Sequence, residues 1–392
     1  MPRTGFRLLV HSAALIVLAP GPLRAEPPRV NLEAEVAAGL DTNPLELSGE
    51  VLPREAIPSG SFMQISAGGR LAGQWTDRAG WFASAEGHGR FHPSSFDEAD
   101  ASHGRMEGGL GLVLWSRGER RLSAALRGSF GMERSTFVDP ATGSIYFAGD
   151  PNAPHAIPDR FDRDATSVNV DLRFRASKRL LFLLDSSLVR DDYAEDGDRT
   201  APVDSLDGRS IVARPGVRWN ITESIRLDVS TEWGSVAYDE LPSLDENATA
   251  VPDEPRRYRS TQLRAALRVE PSARWSFSVG GAAGRRDDLH AGYYDSLGES
   301  AYGTASWSPR EGLRMSLQMS RSHVDYEHAT LDGTADGELR GGDVVTTSAA
   351  IEKDLFTHLT VRAQGARVAS SNQDPLYTYD RAWALVGLRY VH

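Results

Sequence analysis

The sequence has 392 residues, a formal net charge of −11 at pH 7 and no cysteine. The chain can therefore form no disulfide, and its acidic charge argues against nucleic-acid binding, which usually requires a basic patch. After the N-terminal segment no run of about 18 apolar residues remains, so the sequence predicts no transmembrane helix.

The N-terminal segment has the pattern of an export signal. Two arginines precede an uncharged apolar run over residues 8–19, and a Pro-Gly-Pro sequence follows it before Ala25. The run is shorter than the roughly 20 residues that a membrane-spanning helix needs. We predict a signal peptide over residues 1–25, cleaved near Ala25, and a mature domain over residues 26–392.

Alternation of apolar and polar residues begins directly after this segment. From Val30 to Leu40 every second residue is apolar, and Asn31, Glu33 and Glu35 lie between these positions. Because successive side chains of a strand point to opposite faces, one face suits lipid and the other suits water. About sixteen such segments occur, near residues 30–40, 62–75, 81–91, 105–115, 122–133, 166–175, 180–190, 210–219, 225–236, 259–269, 274–284, 298–307, 313–322, 344–352, 358–368 and 381–392.

The connections between these segments alternate in length. Short links lie at 76–80, 116–120, 176–179, 220–224, 270–273, 308–312 and 353–357, and long links at 41–60, 92–104, 134–165, 191–209, 237–258, 285–297, 323–343 and 369–380. A transmembrane barrel with short periplasmic turns and long extracellular loops has this rhythm, whereas a soluble β-sandwich or propeller does not require it. We predict an all-β, antiparallel up-and-down barrel of about sixteen strands that spans the membrane.

Aromatic residues support the same orientation. Six of the eight tryptophans lie where a strand meets a short turn, namely Trp75, Trp81, Trp115, Trp219, Trp275 and Trp307. They predict the inner aromatic girdle of a membrane barrel. Residues near the opposite strand ends predict the outer girdle, namely Phe91, Phe130, Trp233, Tyr258 and Tyr379.

The last segment resembles the C-terminal assembly signal of bacterial outer-membrane proteins. Gly387 and Tyr390 stand where that signal has its glycine and first aromatic residue, and His392 replaces the usual terminal Phe or Trp. This resemblance implies insertion into the outer membrane by the assembly machinery of that membrane. It also implies contact with outer-membrane lipid and lipopolysaccharide.

A second resemblance lies at the end of the first predicted strand. The Gly-Leu-Asp-Thr-Asn-Pro motif at residues 39–44 looks like a motif at the start of barrels in exopolysaccharide-export and surface-lipoprotein-assembly proteins. This resemblance implies a barrel that works with export partners. Only residues 26–29 precede the first strand here, whereas those proteins often carry periplasmic helical repeats.

The polar residues at alternate positions of the predicted strands would line the lumen, and many of them are arginines. Candidate pore-lining residues are Arg70, Glu86, Arg90, Arg105, Glu107, Arg127, Glu133, Arg173, Arg264 and Arg268. A barrel of 16 to 18 strands is wide enough for an aqueous channel, and an arginine surplus would favour anionic solutes. Alternatively, these charges pair across neighbouring strands and only solvate the wall.

The longest predicted loop, at residues 134–165, raises a further possibility. General porins fold a third loop inward and place its acids opposite arginines on the wall. By that resemblance Arg70, Arg90, Arg105 and Arg127 would face the loop acids Asp139, Asp150, Asp159, Asp162 and Asp164. The alternative is a loop that lies over the mouth of the barrel.

The sequence thus predicts a passive, porin-like aqueous channel of the outer membrane. It contains no set of residues that indicates catalysis, a bound metal or another cofactor, and no nucleic-acid partner is expected. Two other functions remain open, a barrel component of a polysaccharide-export or surface-lipoprotein-assembly machine and a non-conducting structural or adhesin barrel. The chain could act as a monomer or as a homo-oligomer.

Overall fold

The computed structural model describes residues 27–44, 59–92, 100–135, 162–193, 207–247, 249–331 and 337–392. The predicted signal peptide and its cleavage site lie outside these residues. In the described part of the chain, no helix has the length and apolar character needed to cross a membrane.

The described residues form sixteen antiparallel strands that close into one barrel. The strands are β1 (Arg29–Asp41), β2 (Gly60–Thr76), β3 (Ala79–Phe91), β4 (Ala101–Arg117), β5 (Arg120–Ser135), β6 (Arg163–Arg175), β7 (Leu180–Tyr193), β8 (Gly208–Asn220), β9 (Ile225–Leu244), β10 (Ala250–Ser272), β11 (Trp275–Asp288), β12 (Ser296–Arg310), β13 (Leu313–Thr330), β14 (Leu339–Phe356), β15 (Leu359–Asn372) and β16 (Tyr379–Val391). Each strand pairs with its neighbours in sequence, and β1 pairs with β16. The predicted up-and-down barrel of about sixteen strands is confirmed.

The outward face of the barrel is apolar. Ile211, Val279 and Val386 are 56%, 58% and 61% exposed, whereas the acidic side chains of Glu35 and Asp171 are buried on the inward face. This distribution is the reverse of that in a water-soluble protein, which rarely exposes a large continuous apolar surface. A closed sheet with an apolar exterior satisfies its backbone hydrogen bonds and contacts lipid at the same time. The chain is therefore an outer-membrane β-barrel.

The apolar band has roughly the height of a bilayer core. On β11 the outward positions from Trp275 to Ala283 carry no charge, and Arg285 and Asp287 follow on the same face. Eight steps of about 3.3 Å along a strand tilted by about 40° rise about 20 Å along the barrel axis. This value is close to the ~25 Å apolar band of outer-membrane barrels.

The alternation of short and long connections is also confirmed. All seven links at one end of the barrel have at most four residues. Gly118 and Gly312 lie in two of them with φ angles of 59° and 69°, which glycine adopts without steric cost. The start of β1 and the end of β16 also lie on this side, where the N–H of His392 donates to the carbonyl oxygen of Leu32 at 2.8 Å.

The hairpin of β9 and β10 is longer than the sequence indicated. We expected a loop at residues 237–258, but the two strands pair as far as Leu244 and Ala250. Asp245 closes the hairpin, and its carboxylate accepts hydrogen bonds from two backbone N–H groups of the turn, which lower its pKa. The prediction was wrong because the apolar alternation ends where the hydrocarbon ends, while the backbone ladder continues into water.

Aromatic residues mark both membrane interfaces, with one correction. Trp275 and Trp307 are exposed near the short turns, and their stacked rings lie 5.3 Å apart. Trp233 faces outward near the other end and is 52% exposed. Tyr258 and Tyr379, predicted in the outer girdle, instead occupy inward positions, and Tyr258 is only 8% exposed. On β10 and β16 these two tyrosines alternate in phase with the inward polar residues, and not with the outward apolar ones.

Contacts of Asp41, at the long-loop end of β1, stabilise the closure of the barrel. Its side chain is fully buried and accepts hydrogen bonds from Arg381 of β16, whose Nε and Nη2 lie 3.0 Å and 2.6 Å from Oδ2. Nη1 of Arg90 on β3 lies 3.6 Å from the same oxygen. The Arg90 guanidinium also stacks over the rings of Phe62 and Trp383, at 4.4 Å and 5.5 Å. One carboxylate thus joins the first, third and last strands.

The residues next to Asp41 complete this closure. The N–H of Thr42 donates to the Ala382 carbonyl at 2.9 Å, and the Ala382 N–H donates back to the Thr42 hydroxyl at 2.8 Å. The N–H of Asn43 donates to the Asp41 carboxylate at 3.1 Å. A Cβ at Gly39 would collide with the backbone of β16. The Gly-Leu-Asp-Thr-Asn-Pro motif therefore closes the barrel in this chain.

We expect Asp41→Asn to destabilise the barrel strongly. The substitution keeps the shape of the side chain but removes a buried negative charge that faces the guanidiniums of Arg90 and Arg381. Breaking a buried ion pair costs about 3–5 kcal/mol of the free energy of unfolding. Urea unfolding of protein refolded into lipid vesicles measures this change.

The matched control is Asp380→Asn, on the neighbouring outward position of β16. It breaks the Arg367–Asp380 pair, in which the side chains are 65% and 55% exposed. Exposed pairs contribute little to stability, so the control is expected to unfold like the unmodified protein. Equal destabilisation by the two substitutions would contradict the closure role of Asp41.

Candidate functional site

The predicted pore-lining residues lie on the inward face of the barrel, opposite in parity to the exposed apolar side chains. Arg70 is on β2, Glu86 and Arg90 on β3, Arg105 and Glu107 on β4, Arg127 and Glu133 on β5, Arg173 on β6, and Arg264 and Arg268 on β10. Arg90 belongs to the closure around Asp41. The other nine line the lumen wall.

A chain of ion pairs crosses β4, β5 and β6. Arg105 lies 3.3 Å from the Glu107 carboxylate, and Arg127 lies 3.6 Å from Glu107 and 2.8 Å from Asp171. The Asp171 side chain is only 6% exposed, and the Arg127 guanidinium supplies the ion pair that a buried carboxylate requires. The positive charges of Arg105 and Arg127 are therefore balanced by acids on the same wall.

Other predicted residues also pair across the wall. The contacts are Glu133 with Arg163 at 2.7 Å, Arg264 with Glu232 at 3.0 Å, Glu232 also with Arg214, and Arg268 with Glu270 at 2.6 Å. For these residues the structure favours the alternative in which opposite charges pair along the barrel wall.

Several inward arginines differ from this pattern, and we call three of them that share one cavity, Arg70, Arg121 and Arg173, the arginine pocket. Among the described residues no carboxylate lies within ion-pair distance of any of the three guanidiniums. They line a cavity of about 540 Å³ in the lumen wall. The Arg70 guanidinium lies over the Phe82 ring, 4.7 Å from its centroid.

Three acids, Asp77, Glu107 and Asp171, also line this cavity, and the last two are engaged in ion pairs. Glu107 and Asp171 contact Arg127, as described above. A second cavity, of about 270 Å³, shares Arg127, Asp171 and Arg173 with the first and continues to Asp185 and Arg214. The two cavities form one groove along the wall from β2 to β8.

The lumen wall formed by β12 and the middle of β13 is neutral. The inward positions of β12 from Ser296 to Ser306 carry only hydroxyl groups and a glycine. On the neighbouring β13, Ser316, Gln318 and Ser320 face the same way. These positions carry no charge, and all of them except Tyr302 have short side chains.

The loop acids do not form the predicted porin eyelet where the structure describes them. Three of them, Asp139, Asp150 and Asp159, lie outside the described residues. Asp162 and Asp164 bind Arg134, with N–O distances of 3.7 Å and 2.7 Å. Asp164 is at an outward position of β6, so it cannot face the lumen arginines.

Sequence reasoning missed two residues of these sites. Arg121 lies just before the predicted fifth strand, and its parity with Arg127 was the signal that could have identified it. Asp41 was assigned to the first long loop, although it continues the parity of Glu33 and Glu35. Both errors came from predicting the strand too short at one end.

The residues of the predicted assembly signal lie along the closing strand. Gly387 faces β1, where a Cβ would collide with Ala37. Tyr390 faces outward and is 44% exposed, and the ring of His392 lies 5.6 Å from that of His358. Their role in recognition by the assembly machinery stays a prediction.

Within the described part of the chain, no group of three His, Asp or Glu side chains is arranged to hold a metal ion. His323 contacts Asp325 at 2.8 Å and Asp343 at 3.3 Å. These three residues occupy outward positions near the long-loop ends of β13 and β14, away from the lumen.

Two solved structures of an outer membrane protein are similar to this chain at low sequence identity. No protein-family model matches the sequence, and no curated protein matches it. A loop L8 deletion mutant of OmpT, an outer membrane protein of Vibrio cholerae, is 9% identical, with a TM-score of 0.48 over 93% of this chain and 99% of that one. The trimer form of in-vitro folded OmpT is 10% identical, with a TM-score of 0.46 over 94% of this chain and 100% of that one. The fold assignment rests on the strand order and the apolar exterior described above.

The absence of native cysteine allows a direct test of the two faces. We expect Arg173→Cys to react with a water-soluble maleimide in protein embedded in lipid vesicles, because this position faces the lumen. The neighbouring Leu172→Cys faces lipid, where the reactive thiolate hardly forms, so we expect no labelling. Mass spectrometry of the intact protein measures both. Labelling of Leu172→Cys with protection of Arg173→Cys would reverse the assignment of the faces.

Proposed function

We propose that the chain is a passive aqueous channel of the outer membrane that favours anionic solutes. The arginine pocket is the observation that carries this proposal. Arg70, Arg121 and Arg173 hold three positive charges in a wall cavity of about 540 Å³ without a carboxylate at ion-pair distance among the described residues. The guanidinium group binds carboxylates and phosphates through paired hydrogen bonds.

The size and lining of the barrel support an aqueous path. A barrel with sixteen strands encloses more space than side chains can fill, in contrast to barrels of about eight strands. Its inward face combines ion pairs with uncharged hydroxyl groups, and both kinds of group hydrate well. Water and small polar solutes can therefore occupy the space that the wall encloses.

Local charge, and not the net charge of the chain, would set the selectivity. The chain as a whole carries −11 and would attract cations at long range. At about 0.1 M salt, charges more than about 10 Å away are largely screened. A solute in the lumen therefore responds mainly to the nearby wall, where many acids are bound to arginines and the three arginines of the pocket have no carboxylate at ion-pair distance among the described residues.

The proposed transport forms and breaks no covalent bond, so it requires neither a catalytic residue nor a cofactor. The export-machine alternative rested on the Gly-Leu-Asp-Thr-Asn-Pro motif. In this structure Gly39, Asp41, Thr42 and Asn43 of that motif contact β16 or stabilise the turn beside it. Barrel closure accounts for the motif without export partners.

The test is the reversal potential of the refolded protein in a planar bilayer with a KCl gradient. We expect the unmodified protein to conduct and to favour chloride. A triple variant with Arg70→Gln, Arg121→Gln and Arg173→Gln should shift the preference towards potassium. The shift should be largest near 0.1 M salt and nearly vanish near 1 M, where the Debye length falls to about 3 Å.

The control has the same change of net charge on the outward face. It combines Arg285→Gln, Arg321→Gln and Arg367→Gln, and its selectivity should match that of the unmodified protein. An absence of conductance in all three proteins would overturn the channel proposal and favour a structural or adhesin barrel. Conductance with equal selectivity in all three would overturn the role of the arginine pocket.

A further inference from the structure

Outward-facing arginines cluster at the long-loop end of the barrel, above the apolar band. Most of them bind acids on the same or a neighbouring strand. Examples are Arg134 with Asp164 at 2.7 Å, Arg190 with Asp192 at 2.9 Å, Arg321 with Asp343 at 2.7 Å, and Arg285 and Arg367 with Asp287 and Asp380. The opposite charges of these pairs cancel, so this part of the outer surface is close to neutral overall.

The outer surface of β8–β10 is different, and we call Arg209, Arg257 and Arg259 the arginine cleft. All three side chains are exposed, and within the described ranges none has a carboxylate at ion-pair distance. Two acids on the neighbouring outward face are already bound. Asp239 contacts Arg190 at 3.4 Å, and Asp287 contacts Arg285.

Strand pairing explains the shape of the arginine cleft. Arg209 on β8 and Arg257 on β10 both stand opposite Ala237 of β9, and Arg259 stands opposite Ser235. Neighbouring strands lie about 4.8 Å apart, so the Cα atoms of Arg209 and Arg257 are about 10 Å apart. The short side chains of Ala237 and Ser235 leave open space between the long arginine side chains.

The surface towards the membrane centre is strongly apolar. Ile211 on β8, Trp233 on β9 and Leu263 on β10 face outward and are 56%, 52% and 55% exposed. Ile211 lies two residues from Arg209, and Leu263 lies four residues from Arg259. A molecule in the arginine cleft would therefore have its polar part among guanidiniums and its apolar part on these side chains.

We propose that the arginine cleft binds the phosphate groups of a phosphorylated glycolipid in the outer leaflet. The long-loop end faces the cell exterior, so this surface lies at the level of the outer headgroups. Guanidinium groups bind phosphate oxygens in pairs of charge-assisted hydrogen bonds, and the cleft provides three such groups. A lipid fits better than a free anion, because the acyl chains contact the apolar surface next to the cleft.

The experiment uses the full mature protein in phosphatidylcholine nanodiscs that contain lipid A, a diphosphorylated glycolipid. Native mass spectrometry measures the retained glycolipid, with fully dephosphorylated lipid A in parallel. We expect the unmodified protein to prefer the diphosphorylated form. A triple variant with Arg209→Gln, Arg257→Gln and Arg259→Gln should bind it at least about tenfold more weakly, since each lost guanidinium removes charge-assisted hydrogen bonds.

The matched control is the variant with Arg285→Gln, Arg321→Gln and Arg367→Gln, whose arginines are bound to acids. It should retain the glycolipid like the unmodified protein. Equal loss in both variants, or equal binding of the dephosphorylated lipid, would overturn the proposal. Full displacement of the lipid by an equal concentration of inorganic phosphate would overturn it in favour of a soluble-anion site. Urea unfolding confirms that both variants are folded, and the result does not depend on whether the barrel conducts.

Discussion

The structure depends on one constraint, that backbone N–H and C=O groups in hydrocarbon must bind one another. An open sheet would leave the edges of its first and last strands without partners in lipid, at a cost of several kcal/mol for each group. The pairing of β1 with β16 removes both edges. Asp41 reinforces this pairing at the long-loop end, where its buried carboxylate binds Arg381 of the last strand. The lumen and the outer surface exist as separate environments only because the sheet is closed.

Closure also determines what each charged side chain does. Inward and outward positions alternate along every strand, so arginines a few residues apart can meet different solvents. Arg264 on β10 faces the lumen and binds Glu232, whereas Arg259 on the same strand faces the outer headgroup region. The same guanidinium chemistry can therefore serve a water-filled path on one side and lipid headgroups on the other.

Pairing of charges decides which arginines are available to a ligand. Arg127 shares its charge with Glu107 and Asp171, and it mainly holds the wall together. Arg70, Arg121 and Arg173 line the same cavity, but within the described residues none of them has a carboxylate at ion-pair distance. A count of lumen arginines would treat these two groups alike. The arrangement across neighbouring strands separates structural charges from those that can attract a solute.

The sequence by itself determined the number of strands, their inward and outward faces and the side of the short turns. Period-two alternation, as from Val30 to Leu40, is a local property, so it can be identified from the sequence of a single segment. It failed at residues 237–258, because strands that leave the hydrocarbon lose the apolar pattern but keep their backbone pairing. Only the tertiary structure decided which charges meet. Asp41 and Arg381 are 340 residues apart in sequence, and their contact follows from barrel closure and strand register, which no local pattern records.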